Sequence, residues 1–305
     1  MRVSTRMIYG GLSNSLMAQS HRVMQAERRV VTGQRVLRPS DDAAAAGRAI
    51  HLNSRLSDIA QYRSNTDALI AGLAATDNAI NDIALALREA RGLALAGAND
   101  TKAESQRHLM AEQVDKLISQ VSHYAEARYA GQYLFSGTAV RTAPLTPTGN
   151  AAAPFAYAGN DGRRTLEVAD GVAVAGSVTG RSVFNFDGAG APDAPDLFTT
   201  LAGIRDDLLR GDAASLSARL DDVDALLENL NRHRGEIGQT IQRLELNKTR
   251  LAEQEEVLNE LLGETTGVDL AAAIIDYQTQ QTVYQATVAL AARVDQPGLF
   301  EFLRG

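Results

Sequence analysis

The sequence contains no cysteine. That single absence removes disulfides, thiol nucleophiles and cysteine-held zinc from consideration, and it suits a chain that must cross an oxidising boundary without forming wrong bridges. Tryptophan is missing too, and aromatic residues are only 5% of the 305. The apolar content, 45% of the chain, is mostly Ala, Leu and Val, which is enough for a sizeable core and favours helices packed in narrow seams. No stretch approaches the roughly 18 apolar residues of a membrane span. The opening residues Met1–Gly11 lack an apolar run of about 7 to 15 residues, so no Sec-type signal is expected and export, if it occurs, takes another route.

Histidines are few and dispersed: His21, His51, His108, His123 and His233. They form no HExxH pattern and have no cysteine to complete a metal site, so structural or solvent-exposed roles are expected. No cofactor, metal or catalytic residue is expected.

The net charge of -7 argues against nucleic acid as a general partner. Its distribution is uneven, because residues 1–40 hold seven Arg against one Glu while residues 253–305 hold nine acids against two Arg. The two ends therefore attract each other.

Apolar or small residues recur at alternating spacings of four and three along Leu12, Leu16, Gln19, Val23, Ala26 and Val30, which is a heptad seam. Gly33 and Pro39 end that helix, and Ser40, Asp41 and Asp42 offer N-cap oxygens to an Ala-rich helix beginning at Ala43. A second seam runs through Leu69, Leu73, Thr76, Ile80, Ile83, Leu87, Ala90 and Ala94. A third, through Met110, Val114, Leu117, Val121 and Tyr124, is expected to form a helical hairpin with it. After Leu197 the pattern returns along Leu216, Leu220, Val223, Leu227 and Leu230, then from Ile237 to Leu262. Asp269 can cap a last helix carrying Leu270, Ile274, Tyr277, Gln281, Tyr284, Val288 and Ala291 in the same spacing.

Between Gly131 and Pro195 lie five of the seven prolines and ten of the 25 glycines, and helix is excluded there on that composition. Short β-type runs at Tyr133–Phe135, Phe155–Tyr157, Thr165–Val168, Val172–Val174 and Val183–Phe186 point to a small all-β insert. The expected fold is therefore mainly α, an elongated helical bundle or coiled coil of N- and C-terminal helices around that insert. Its segments are an N-terminal assembly helix (1–40), the first half of a helical rod (41–130), the β-rich outer insert (131–196), the second half of the rod (197–262) and a C-terminal assembly helix (263–305). The two terminal seams sit where a globular domain usually frays, so they are expected to pair with each other and with neighbouring copies.

Other chemistry finds little support. Asp41 and Asp42 could be an acid pair, but their place between Pro39–Ser40 and an Ala run is that of capping carboxylates. The segment Asp187–Asp193 lacks the alternating ligands of an EF-hand and the Lys of a P-loop, and reads as a plain loop. Arg22, Arg28, Arg29, Arg35 and Arg38 could contact phosphate, yet no interleaved aromatics accompany them and a solvated helix face is expected.

Several motifs then fall in order: Met1–Thr5 with Tyr9, TGQRVLRPSDD at Thr32–Asp42, Tyr62–Asn65, GQYLFSG at Gly131–Gly137, GVDLAAA at Gly267–Ala273, the Gln278–Ala292 helix and the ending Leu299–Leu303. Together they resemble the FlgL family of flagellar hook-associated proteins, within the flagellin superfamily. Ala43 stands where that family often has Pro, and Arg304–Gly305 extends its usual end. Flagellin itself is the nearest rival. The resemblance implies a structural adaptor that polymerises as a ring through its terminal helices and joins hook to filament. Its implied partners are the junction protein FlgK on the hook side, flagellin on the filament side, the flagellar type III export apparatus and an export chaperone. It also implies an extracellular place at the hook–filament junction, reached without a cleavable signal peptide. The alternative of a ligand-binding or enzymatic β insert on an exported rod finds no acid, base and nucleophile constellation to support it.

Overall fold

The computed structural model describes residues 2–99, 103–190 and 195–294. The Leu299–Leu303 ending and the Asp187–Asp193 loop beyond Gly190 lie outside the described residues. The chain divides into two compact units, Ile59–Glu253 and, separately, Met1–Asp58 with Gln254–Gly305.

The Ile59–Glu253 unit is built on two long helices, α2 (Ala43–Gly97) and α6 (Ala213–Thr266), with α3 (Glu104–Ala125) and α5 (Leu197–Arg210) between them in sequence. All eight residues of the Leu69–Ala94 seam are buried, as the four-three spacing requires of a helix with one apolar stripe. Ion pairs Asp67–Lys248 (2.6 Å), Asp77–Arg234 (2.9 Å) and Arg91–Asp224 (2.7 Å) run in opposite order along α2 and α6. The two helices are therefore antiparallel, and these half-exposed pairs mark their register more than they stabilise it. The expected hairpin partner of α3 was α2. In the structure α3 lies closest to α5, tied to it by Arg205 and Asp115 at 3.0 Å. Helix α5 begins immediately after the insert at Asp196, whose carboxylate accepts from Phe198 and Thr199 N–H groups.

The insert is three separate antiparallel ribbons: β1 (Arg128–Tyr129) with β2 (Gln132–Tyr133), β3 (Leu145–Asn150) with β4 (Ala153–Tyr157), and β5 (Thr165–Ala169) with β6 (Val172–Ala175). Strand β3 contains Pro147 and escaped the sequence reading, since proline is admitted only where the ladder does not need its N–H. The exclusion of helix is overturned at Val183–Phe186. There the chain forms the short helix α4 (Gly180–Val183) and then a 3-10 turn (Phe186–Gly188). Phe184 N–H donates to Gly180 O at 2.9 Å, and the Asn229 side chain of α6 donates to Ser182 O and Val183 O at 2.8 and 3.1 Å. Backbone groups that a strand would offer sideways are thus satisfied by a turn and by a side chain. A short buried apolar run has the same composition in either state.

Five of the seven phenylalanines of the sequence meet in this unit. Phe135 and Phe184 rings lie 5.1 Å apart, Phe155 and Phe198 4.9 Å, and Tyr157 stacks on Phe186 at 5.7 Å. Edge and offset contacts of this kind suit ring quadrupoles. Phe135 comes from the GQYLFSG motif and is fully buried. Its carbonyl accepts from Gly180 N–H and Tyr157 O–H, both at 2.9 Å.

Candidate assembly interface: the terminal helices and their clasp

The other unit brings the two ends of the chain together. Helix α1 (Arg2–Thr32) pairs with α7 (Leu270–Val294). Their order is antiparallel, because Gln19 reaches Gln280 while Arg29, farther along α1, lies 3.9 Å from Asp276.

On α1 all six residues of the Leu12–Val30 seam are turned inward, with Gln19 and Ala26 buried and the others half-buried. Gln19 is 6% exposed. A buried amide needs partners, and Gln19 Nε2 donates to Gln280 Oε1 at 2.9 Å and Gln280 O at 3.3 Å. The amide that meets Gln19 is therefore one residue from Gln281. Helix α7 is rolled so that Ala273, Tyr277, Gln280, Tyr284, Thr287 and Ala291 face inward. Of the stripe read from sequence, Tyr277 and Tyr284 lie inward, whereas Leu270 (52% exposed), Ile274, Gln281 and Val288 point outward. Two heptad stripes sharing residues 277, 284 and 291 run along this helix. Apolarity favours one, and the Gln19 amide selects the other.

Among the described residues the roll leaves apolar side chains exposed: Leu270, Ile274, Ile275, Val283, Val288 and Leu290 on α7, and Met17, Met24 and Val31 on α1.

At the foot of the pair, the α1–α2 and α6–α7 connections clasp each other. Gly33 takes a positive φ of 67° to stop α1, as a residue without Cβ does readily. Its carbonyl then accepts from Val268 N–H at 3.1 Å, and Arg35 N–H donates to Thr266 O at 2.7 Å. The terminal carbonyls of α6, orphaned by the helix end, thus find donors in the other connection. Arg35 also donates through Nη2 to Thr265 O (3.3 Å) and pairs with Asp42 (3.1 Å).

The acidic pair is divided in its work. Asp42 caps α2 through Ala45 N–H at 2.9 Å. Asp41 does not cap it: its Oδ2 accepts from Leu37 and Arg38 N–H groups at 3.1 and 2.9 Å, closing the turn in which Pro39 and Ser40 are the central residues. Asp41 N–H is itself bound to Arg38 O, which points its side chain back over the loop and not forward over the helix. The Ala45 N–H bond and the Arg35 guanidinium hold the Asp42 carboxyl below its ordinary range. Asp269 caps α7, accepting from Ala271 and Ala272 N–H groups at 2.9 and 3.2 Å.

Beside the clasp is a cavity of about 90 Å³ whose lining includes His21, Arg28, Arg29, Arg35 and Arg38. Arg29 and Arg35 are paired, while Arg28 and Arg38 have no carboxylate within ion-pair distance among the described residues. Of the remaining histidines, His51, His108 and His123 are exposed and His233 is buried, where desolvation pushes its pKa down. Among the described residues no His, Asp and Glu cluster could hold a metal, and no helix is long and apolar enough to cross a membrane.

Comparison with known proteins places these elements. The bacterial flagellin N-terminal helical region matches residues 3–140, and the bacterial flagellin C-terminal helical region matches residues 220–303. Flagellar hook-associated protein 3 of Escherichia coli K12 is 26% identical over 99% of this chain and 99% of its own length. A flagellin of Listeria innocua is 22% identical over 97% of this chain and 96% of its own. Among solved structures, FlgL of Bacillus cereus superposes with a TM-score of 0.58 at 21% identity, covering 70% of this chain and 99% of that one, a likeness of fold.

Proposed function

Because the chain belongs to the flagellin family of structural flagellar proteins, we propose that it is the adaptor subunit that joins hook to filament, polymerising as a ring through its terminal helices. The observation that carries this reading is the terminal pair: two helices from opposite ends of the chain, clasped at the foot and each bearing an uncovered apolar stripe. Leu12, Leu16, Gln19, Val23 and Val30 with Tyr277 and Tyr284 hold the pair together. Leu270, Ile274, Gln281 and Val288 face neighbouring copies. Segments 1–40 and 263–305 are then the assembly segments. The neighbours are FlgK below and flagellin above, and the chain reaches its place through the flagellar export apparatus with a chaperone covering its apolar stripes beforehand. The full-length hook-associated relative supports the junction role over the filament role.

The flagellin of similar length favours a second reading, a filament subunit. Electron microscopy of a deletion strain separates them. The junction role gives intact hooks without filaments and flagellin released into the medium. Filaments of normal length would refute it, and labelling of the chain along the whole filament shaft would establish the second reading.

A further inference from the structure

We infer that the arginine cavity beside the clasp receives the acidic outer face of α6 from a second copy of this chain, so that the subunits join head to tail through ion pairs. This inference rests on the proposed polymerisation.

The receiving side is a concave site with two free cations. Arg28 and Arg38 line the cavity, are exposed, and form no ion pair among the described residues; Asp41 also lines it, its carboxylate held by the Leu37 and Arg38 N–H groups. Arg29 and Arg35 add positive charge to its wall even while paired. A planar guanidinium fork matches a carboxylate in geometry as well as in charge.

The donating side lies in the same unit. Glu256, Glu260 and Glu264 are exposed and stand four apart on α6, which places them on one face. Leu258 and Leu262, on the opposite face, are turned inward. The carboxylate row is thus aimed away from the chain's own fold, and none of the three takes part in an ion pair among the described residues. Like charges at this spacing repel one another on an isolated helix. A row of cations from outside relieves that repulsion.

Two complementary patches that do not satisfy each other within one chain make a heterologous contact. Such a contact repeats from copy to copy and closes into a ring when the rotation allows. Charge pairing of this kind fixes register and speeds encounter, and salt weakens it. The exposed apolar stripes of α1 and α7 are indifferent to register, so the ion pairs supply the discrimination they lack.

The absence of native cysteine gives a clean test. Gln25 lines the cavity and Leu261 lies beside the acidic row, and both are exposed. A full-length Gln25→Cys/Leu261→Cys chain is expressed in cells lacking the native copy, hook and filament structures are isolated, and mild oxidation is followed by non-reducing electrophoresis and blotting. A ladder of cross-linked copies is expected. Adding Arg28→Glu and Arg38→Glu should reduce it at least tenfold, and adding Glu260→Arg and Glu264→Arg to that chain should restore it. A ladder insensitive to the reversal overturns the inference. So does a product within one chain, or a cross-link to a chain of different mass. Absence of the Cys-free parent from the isolated structures refutes the proposed function and the inference with it. The parent present without a ladder refutes the inference alone.

Discussion

Asp207 is the most deeply buried charge of the Ile59–Glu253 unit, and removing it tests the packing argument quantitatively. Its side chain is 1% exposed at the last turn of α5, where it pairs with Arg219 of α6 and with Arg210. Arg219 is itself three-quarters buried. In Asp207→Ala the Arg219 guanidinium keeps its desolvation and loses its counter-charge. Breaking a buried pair from one side costs about 3–5 kcal/mol. For a unit of this size, with about 2–4 °C lost per kcal/mol, the melting midpoint should fall by about 6–20 °C. Gly203 offers an independent route to the same damage. A Cβ there would lie 2.1 Å from Arg219 Cζ, so Gly203→Ala must displace the guanidinium. Alanine regains about 1 kcal/mol of helix propensity, so the net loss should be smaller, on the order of 1–3 kcal/mol. The two substitutions act on one pair and should be sub-additive by about 1 kcal/mol or more. Urea unfolding of the full chain followed by circular dichroism at constant m-value measures all three variants. A loss below about 0.5 kcal/mol for Asp207→Ala, or strict additivity in the double variant, refutes the reasoning.

Three further outcomes are expected. Gln280→Leu takes away the side-chain acceptor of the buried Gln19 amide, leaving it the longer bond to the residue 280 carbonyl, and should cost the terminal pair about 0.5–1.5 kcal/mol, whereas Gln281→Leu, pointing outward, should leave it unchanged; hydrogen exchange of α7 distinguishes them. Truncation after Gly267 removes α7 but no core residue of the Ile59–Glu253 unit, so sedimentation should find a folded, soluble chain and a motility assay should find no junction; global unfolding would place α7 in an ordinary core. His233 is buried and its pKa is lowered from 6.5 by desolvation, against which Glu236 acts upward and Arg232 adds to the lowering. The unfolded chain then binds more protons below about pH 6.5, so stability present above that pH is lost as pH falls toward the folded pKa, and His233→Gln should flatten this part of the stability profile.

Periodicity determined the helices and their inward stripes over most of this protein. Leu69–Ala94 and Leu12–Val30 both face inward as spaced, because a four-three repeat puts large apolar groups on one face whatever they meet. The helix stop at Gly33 and the caps at Asp42 and Asp269 were legible for a similar reason, since backbone donors at a helix start are satisfied by side chains a few residues away. What tertiary structure alone decided involves partners distant in sequence. Asp41 is the local exception: it closes a turn on the N–H groups of Leu37 and Arg38, three and four residues back, and spacing alone does not separate that from a cap. The run Val183–Phe186 coils where Asn229, some 45 residues on, donates to the Ser182 and Val183 carbonyls. The roll of α7 was not visible either. Two overlapping stripes satisfy the same spacing, and the choice between them was made by one amide at the far end of the chain, Gln19, which on burial must find a partner and finds it in Gln280.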